Sequence, residues 1–193
     1  MAKNNHHMSR EDMLKIKNLS LAPYLQLSIS LIDKPRQAGS NMFRHQLDTF
    51  GILLDYGYCD SVLLKASVVH DLVEDCPDFD QNIISGIDED GPAVLSLVLE
   101  VSRIKGEQKA TFLTRIKNEG TFNAKTLKCA DRISNVVSLG LVNDLHFVER
   151  YIRETEKYIY PIALEINRYM LLELQDLIKS RKFLLDNLKE MEK

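Results

Sequence analysis

Residues 62–75 decide the fold of this chain and read Val-Leu-Leu-Lys-Ala-Ser-Val-Val-His-Asp-Leu-Val-Glu-Asp. The stretch is apolar nearly all the way round a helix, which predicts a buried helix that ends at Asp75. Its last turns nevertheless carry the polar side chains His70, Asp71, Glu74 and Asp75. Buried charges are costly unless they are paired or bind a metal. On a helix these four side chains share one arc of about 140°, which favours a metal-centred hydrolytic site over a solvated face.

The composition is that of one domain, or one domain with an appendage, with a proper core. The chain has 193 residues, 45% of them hydrophobic, and a net charge of −3 with a pI near 6.0. These values give no general electrostatic reason to bind nucleic acid or an anionic membrane. The cysteines Cys59, Cys76 and Cys129 are few and show no CxxC spacing, which favours reduced thiols in a cytosolic protein.

The sequence contains no predicted membrane span and no signal-peptide cleavage pattern. Its least charged stretch, residues 18–32, includes Pro23 and several polar side chains and is too short to cross a bilayer. The pair His6 and His7 lies near the start of the chain, where a disordered segment is a better interpretation than a ligand site.

Helical periodicity runs through almost the whole chain. Ser9 to Asp12 resembles a capping box, and Pro23 should interrupt or end the first helix. A loop is predicted over residues 34–41 because that segment is rich in proline, glycine, serine and asparagine. After it, helices are predicted at 42–56, closed near Gly57, at about 92–101 in preference to a strand, at 127–139, and, as one helix or a pair, at 147–179. Residues 106–120 fit either a helix or a mobile loop.

Two further signals stand apart from the first stretch. A polar stripe of Lys128, Asp131, Asn135 and Ser138 falls within about 80° of arc on the helix at 127–139, and alone it fits a solvent face better than a site. His45 alone also fits a structural histidine best. Taken in order, however, His45, the pair His70 and Asp71, and Asp131 give the pattern H…HD…D. Two imidazoles and two carboxylates suit a borderline divalent ion, and four protein ligands leave open positions for water or substrate.

Longer motifs around these residues carry a family resemblance. His-Asp-Leu-Val-Glu-Asp at 70–75 resembles an HDxxED box, and Lys-Cys-Ala-Asp-Arg-Ile-Ser-Asn at 128–135 resembles K-x-A-D-R-x-x-N. Arg-Gln-Ala-Gly at 36–39, before His45, is similar to an R-x-x-G…H segment. The chain thus resembles the HD superfamily of metal-dependent phosphohydrolases. More narrowly, it resembles the hydrolase domain of the RelA/SpoT family and the small alarmone hydrolases over about residues 30–165.

The resemblance implies an all-α, HD-domain multi-helix fold. It implies a hydrolase domain at 30–180, between an N-terminal helical segment at 1–29 and a C-terminal helical tail at 181–193. The chain departs from the family at three positions. Gln37 stands where the family usually has a basic residue, Gln46 where it has proline, and Val137 where it often has arginine.

The resemblance also implies roles for particular residues. A divalent metal, usually manganese, would be bound by His45, His70, Asp71 and Asp131. Protons would be handled by Glu74 and Asp75. The nucleotide would be bound by Arg36, stacked on the purine, by Asn135, and by the weaker candidates Lys128 and Ser138. Tyr151, outside these motifs, is predicted to be a packing residue.

The implied activity is hydrolysis of guanosine 3′,5′-bis(diphosphate), ppGpp, and its pentaphosphate, which gives GDP or GTP and pyrophosphate. The implied partner is a small guanine nucleotide in the cytoplasm, and the sequence leaves homo-oligomerisation open. Two alternatives stay open as well. One is an HD phosphohydrolase of another nucleotide, and the other is a catalytically idle module that binds the alarmone.

Overall fold

The computed structural model of this chain describes residues 8–37 and 40–191, and these residues form an all-α structure. The α-helices of the described residues are α1 (Arg10–Lys17), α2 (Ala22–Ser28), α3 (Met42–Asp55), α4 (Ser61–Ser67), α5 (Leu72–Asp75), α6 (Asn82–Ser85), α7 (Gly91–Val101), α8 (Lys109–Glu119), α9 (Phe122–Ser138), α10 (Leu145–Glu154), α11 (Tyr160–Ile166) and α12 (Arg168–Met191). Extended pairing within this part of the chain is limited to a bridge between Pro35 and Asn41. The interpretation of His6 and His7 concerns residues outside the described ranges.

The predicted start of the first helix is confirmed. The Ser9 hydroxyl accepts a hydrogen bond from the backbone N–H of Asp12, and the Asp12 carboxylate accepts one from the backbone N–H of Ser9. This reciprocal capping box satisfies N–H groups that the first turn leaves unpaired. Pro23 does not end the first helix as expected: α1 already ends at Lys17, and the proline lies in the first turn of α2, which begins at Ala22.

The stretch at 62–75 is two short helices rather than one, which corrects the sequence-based expectation. α4 ends at Ser67 and α5 begins at Leu72. Between them the backbone N–H groups of Val69 and Leu72 bond to carbonyls only three residues back. The carbonyl of Ser67 accepts a hydrogen bond from Nδ1 of His70 at 2.8 Å, so a side chain closes the helix. Apolar periodicity alone cannot distinguish a continuous buried helix from this arrangement.

The remaining helix predictions are confirmed with small changes. Residues 91–101 form α7 with Pro92 in its first turn, so the strand alternative is wrong. The segment at 106–120 is helical from Lys109. The C-terminal pattern at 147–179 becomes three α-helices with a π-helical turn, Thr155–Ile159, after α10. α12 continues without a break through residue 180, so the division between hydrolase domain and tail does not coincide with a helix end.

The helix α9 lies at the centre of the molecule. It packs against α3, α7, α11 and α12, and its residues Ala130, Ile133 and Val136 are completely buried. Burying these side chains supplies the main stabilisation of the core. Because neighbours surround most of α9, its charged side chains must meet partners rather than bulk water.

The three cysteines of the chain are free, and Cys129 is buried on α9. Burial raises the pKa of its thiol above the usual range, so Cys129 behaves as an apolar core residue. None of the helices in the described residues is long and apolar enough to cross a membrane.

Candidate metal centre

Three buried side chains from separate elements converge beside α9. His45 lies on α3, His70 follows α4, and Asp131 lies on α9; their exposed fractions are 1%, 3% and 5%. Oδ1 of Asp131 is 3.1 Å from Nε2 of His45 and 4.0 Å from Nε2 of His70. One ligand atom from each residue lies within 4.8 Å of the others. This spacing brings two imidazoles and a carboxylate within reach of one ion.

Hydrogen bonds orient both imidazole rings. Nδ1 of His70 donates to the carbonyl of Ser67, which leaves the lone pair on Nε2. Nδ1 of His45 lies 2.8 Å from the hydroxyl of Ser134. Hydrogen bonds at the far nitrogen are typical of metal-binding histidines because they fix the tautomer and the ring orientation. Burial also lowers the pKa of His70, which favours the neutral ring that a metal needs.

Asp71 joins this group from its more exposed side. Its Oδ2 lies 3.5 Å from Nε2 of His45 and 3.3 Å from Nε2 of His70, and its side chain is 21% exposed. The same oxygen accepts a hydrogen bond from the amide of Gln46 at 2.9 Å. All four residues predicted to bind metal are therefore brought together.

The donor set fits a divalent metal. Nε2 of His70 is buried and has no hydrogen-bond partner among the described residues, although a buried polar atom is normally paired. Burial by itself would raise the pKa of Asp131, but the Lys128 ammonium and the two histidines outweigh it and hold that pKa well below its usual range. Asp131 is thus an anionic donor, and mixed nitrogen and carboxylate donors suit manganese, iron, cobalt or zinc.

Three of the four residues, His45, Asp71 and Asp131, line a cavity of about 420 Å³. The cavity is lined by both acidic and basic side chains, and it contains more basic residues than the sequence motifs do. They are Arg36, Arg103, Lys109, Lys128 and Arg132. A cavity that combines a metal-ligand set with several cations can hold a small polyanion, although the whole chain is acidic.

Glu74 and Asp75 line the same cavity. The carboxylate of Glu74 is held by Arg103, with Nη2 2.6 Å from Oε1. Burial, reinforced by the charges of Asp71 and Glu74, raises the pKa of Asp75 to about 6. A carboxyl group with such a pKa can both give and take a proton near neutral pH.

The residues predicted to bind the nucleotide separate into two groups. Arg36, Lys128 and Asn135 line the metal cavity, whereas Ser138 lines only a neighbouring cavity, which Arg36 and Ser134 also line. The Ser138 hydroxyl donates to the Ser134 carbonyl at 3.4 Å. Ser138 is one turn past Asn135, and the helix has by then carried that side chain away from the metal ligands.

Asn135 connects the entry loop to the metal ligands. Its Oδ1 accepts a hydrogen bond from Nη2 of Arg36 at 2.8 Å, and its Nδ2 donates to Oδ1 of Asp131 at 2.5 Å. Lys128, one turn before Asp131, places Nζ 2.7 Å from the other carboxylate oxygen. Arg36 lies in the part of the loop that the structure describes, and its bond to Asn135 holds it at the cavity.

The structure adds site residues that the sequence reasoning missed. Tyr151, predicted as a packing residue, lines the metal cavity, and the Arg132 guanidinium lies 4.1 Å from its ring centre. Phe147 stacks on Tyr151 at 5.5 Å. Lys109 is ion-paired to Glu154 at 2.7 Å, and burial lowers the pKa of its ammonium. The i,i+4 spacing of two aromatic residues was the available signal, but it is equally typical of core packing.

Comparison with known proteins supports the fold. No family model and no curated protein sequence matches the chain. A solved structure of a metazoan ortholog of SpoT, described as hydrolysing ppGpp and playing a role in starvation responses, matches with a TM-score of 0.71. The sequence identity is 21%, over 90% of this chain and 96% of that chain. The expected fold class is thereby confirmed: the chain has the all-α HD-type fold of this SpoT ortholog.

Proposed function

We propose that this chain is a metal-dependent hydrolase of ppGpp and its pentaphosphate that releases pyrophosphate and leaves GDP or GTP. The observation that carries the proposal is the buried group of His45, His70 and Asp131, joined by Asp71, at a cavity rich in basic side chains. The fold shared with a protein described as hydrolysing ppGpp supports the choice of substrate.

The metal would be held by His45, His70, Asp71 and Asp131, and manganese is the ion we propose. When bound, a divalent ion supplies Lewis acidity to the phosphoryl group and acidifies water enough for attack near neutral pH. The protein supplies rigid donors: both imidazoles are fixed through Nδ1, and Asp131 is fixed by Lys128 and Asn135. Such preorganisation reduces the reorganisation that the reaction requires.

Glu74 and Asp75 would manage the protons. Asp75, with a pKa near 6 in the metal-free protein, suits a group that accepts a proton from water or donates one to the leaving group. Glu74 is oriented by Arg103 and faces the same cavity, so it would align the attacking water. These two roles divide acid–base work between a protonatable and a charge-paired carboxylate.

The cationic side chains would bind the phosphates and the base. Lys109 and Arg132 lie together near Tyr151 and would neutralise the 3′ and 5′ diphosphates. Arg36 would cover the purine, an interaction that a planar guanidinium makes well. A small cavity of about 240 Å³ beside Arg36, also lined by Tyr151 and Asn135, supports a position for the base there.

The proposed partner is a small guanine nucleotide in the cytoplasm, and the acidic net charge of −3 argues against a nucleic-acid substrate. Oligomerisation and the division at residues 30 and 180 stay predictions.

The test is a hydrolysis screen of purified protein over ppGpp, pppGpp, GTP, GDP, GMP and ATP, with and without manganese. We expect pyrophosphate release from ppGpp and pppGpp that a chelator abolishes and manganese restores. Metal-dependent turnover of another nucleotide alone would replace the proposal with a general HD phosphohydrolase. Alarmone binding without any turnover would replace it with a binding module.

A further inference from the structure

Gln46 is a completely buried amide that follows His45 on α3. Its Nε2 donates a hydrogen bond to Oδ2 of Asp71 at 2.9 Å. A carboxylate only accepts hydrogen bonds, so the amide nitrogen must be the atom that faces Asp71. The amide oxygen, Oε1, is consequently the buried atom left without a partner among the described residues.

The bonded carboxylate oxygen is the one that faces the imidazoles. Oδ2 of Asp71 lies 3.5 Å from Nε2 of His45 and 3.3 Å from Nε2 of His70. Asp71 itself lies in the break between α4 and α5 and keeps a partly exposed side chain. Of the four ligand candidates, Asp71 therefore has the most exposed side chain and the least support from surrounding packing. Its hydrogen bond with Gln46 fixes the carboxylate next to the imidazole rings.

Packing does not account for an amide at this position. A buried carbonyl oxygen without a partner lowers the stability of the folded chain, whereas an apolar side chain of similar length would fill the space without that penalty. The contact of the amide with Asp71 is therefore the reason that we infer for a polar side chain here, despite the loss of stability from its unpaired oxygen.

We propose that Gln46 is a positioning residue that orients Asp71 as a metal ligand and so raises the affinity of the site for its ion. The inference rests on the metal centre of the proposed function, and it assigns to Gln46 a role in ion binding rather than in the chemical step. Hydrogen-bond partners of metal ligands commonly change metal affinity by about 10- to 100-fold.

The experiment measures manganese binding to the full chain by calorimetry after removal of metal, together with the melting temperature of the metal-free protein. Gln46→Met keeps the length of the side chain but cannot donate a hydrogen bond. We expect its manganese Kd to rise at least about tenfold while its metal-free melting temperature stays the same or increases. Gln46→Leu provides the same measurement if Gln46→Met does not fold.

Thr49→Val is the matched control on the same helix. Thr49 is buried, and its hydroxyl bonds to the His45 carbonyl rather than to Asp71. This variant should lower the melting temperature and leave the manganese Kd unchanged. A wild-type Kd in Gln46→Met, or no manganese binding by the wild-type chain, overturns the inference.

The two proposals fail separately. Weakened manganese binding in Gln46→Met without ppGpp hydrolysis by the wild type would uphold the inference and overturn the proposed function. Alarmone hydrolysis by the wild type, with full manganese affinity in Gln46→Met, would do the reverse.

Discussion

Arg103 holds both carboxylate oxygens of Glu74. Its Nε and Nη2 lie 2.8 Å and 2.6 Å from Oε1, and its backbone N–H donates to Oε2 at 3.2 Å. A carboxylate held by three donors keeps one orientation at the cavity. Glu74 is thus fixed by a residue 29 positions away in sequence, and its contribution to the reaction is open to direct test.

Replacing Glu74 by Gln should leave manganese binding intact and lower kcat by about 10²- to 10⁴-fold. The amide keeps the shape of the side chain but cannot accept a proton. Steady-state kinetics with ppGpp and calorimetry with manganese measure the two effects on the same preparation. Turnover at the wild-type rate would remove Glu74 from the proton-transfer assignment.

Replacing Arg36 by Ala should raise the KM for ppGpp by roughly tenfold, which corresponds to about 1.4 kcal/mol, with metal binding retained. The reason is loss of the guanidinium that lines the cavity and bonds to Asn135. Arg44→Ala is the control because Arg44 is exposed and lines the neighbouring cavity instead. An equal rise in KM for both variants would show a general charge effect rather than a contact with the base.

Replacing Asp75 by Asn should flatten the pH dependence of stability in the metal-free protein. The folded pKa of Asp75 is raised to about 6 from an ordinary 3.8, so the folded state holds this proton more tightly. Its stabilising contribution is complete below about pH 3.8 and is lost as the pH rises through 6. Asp75 should account for a loss of on the order of 1–2 kcal/mol between pH 4 and 7.

Urea denaturation across that pH range measures the effect. Asp78→Asn, at an exposed position three residues further on, provides the comparison because it removes the same charge outside the cavity. An unchanged slope in Asp75→Asn would mean that Asp75 titrates normally.

Two glycine substitutions should change stability in opposite directions. A Cβ on Gly91 would lie 2.5 Å from the carbonyl oxygen of Ser85 and 2.7 Å from that of Ile84. Both contacts are with backbone, so Gly91→Ala should destabilise the protein by about 1–3 kcal/mol. Gly51 lies within α3 and has open space around it, so Gly51→Ala should stabilise by roughly 0.5–1 kcal/mol. Chemical denaturation distinguishes the two, and a neutral Gly91→Ala would mean that the turn before α7 can shift.

Sequence reasoning captured most of the fold because apolar spacing and end signals are local properties. The capping box at Ser9, the stop at Gly57 with φ of 76°, and Pro92 in the first turn of α7 are all confirmed. The break at His70 was not predictable by the same means. It depends on an imidazole competing with the backbone for the carbonyl of Ser67, a choice that hydrophobic periodicity does not record.

The site was predictable to the extent that motifs place its ligands. The order of His45, His70, Asp71 and Asp131 was enough to expect them together. The cations Lys109 and Arg132 reach the cavity through tertiary packing, around Glu154 and Tyr151. Arg132 belongs to the K-x-A-D-R-x-x-N motif at 128–135, from which no role was expected for it, whereas nothing in the sequence around Lys109 marks that residue.

The bond between His70 and Ser67 has a consequence for how related sequences should be compared. Because that imidazole also closes a helix, a homologue without the proposed metal site would still need His70 to end α4. Retention of His70 in a homologue is therefore weak evidence of activity. Asp71 is the N-cap residue of α5, but its side chain makes no capping hydrogen bond, and its carboxylate contacts Gln46 and the two rings instead. Variation at Asp71 is the better marker by which inactive lineages of this fold can be recognised.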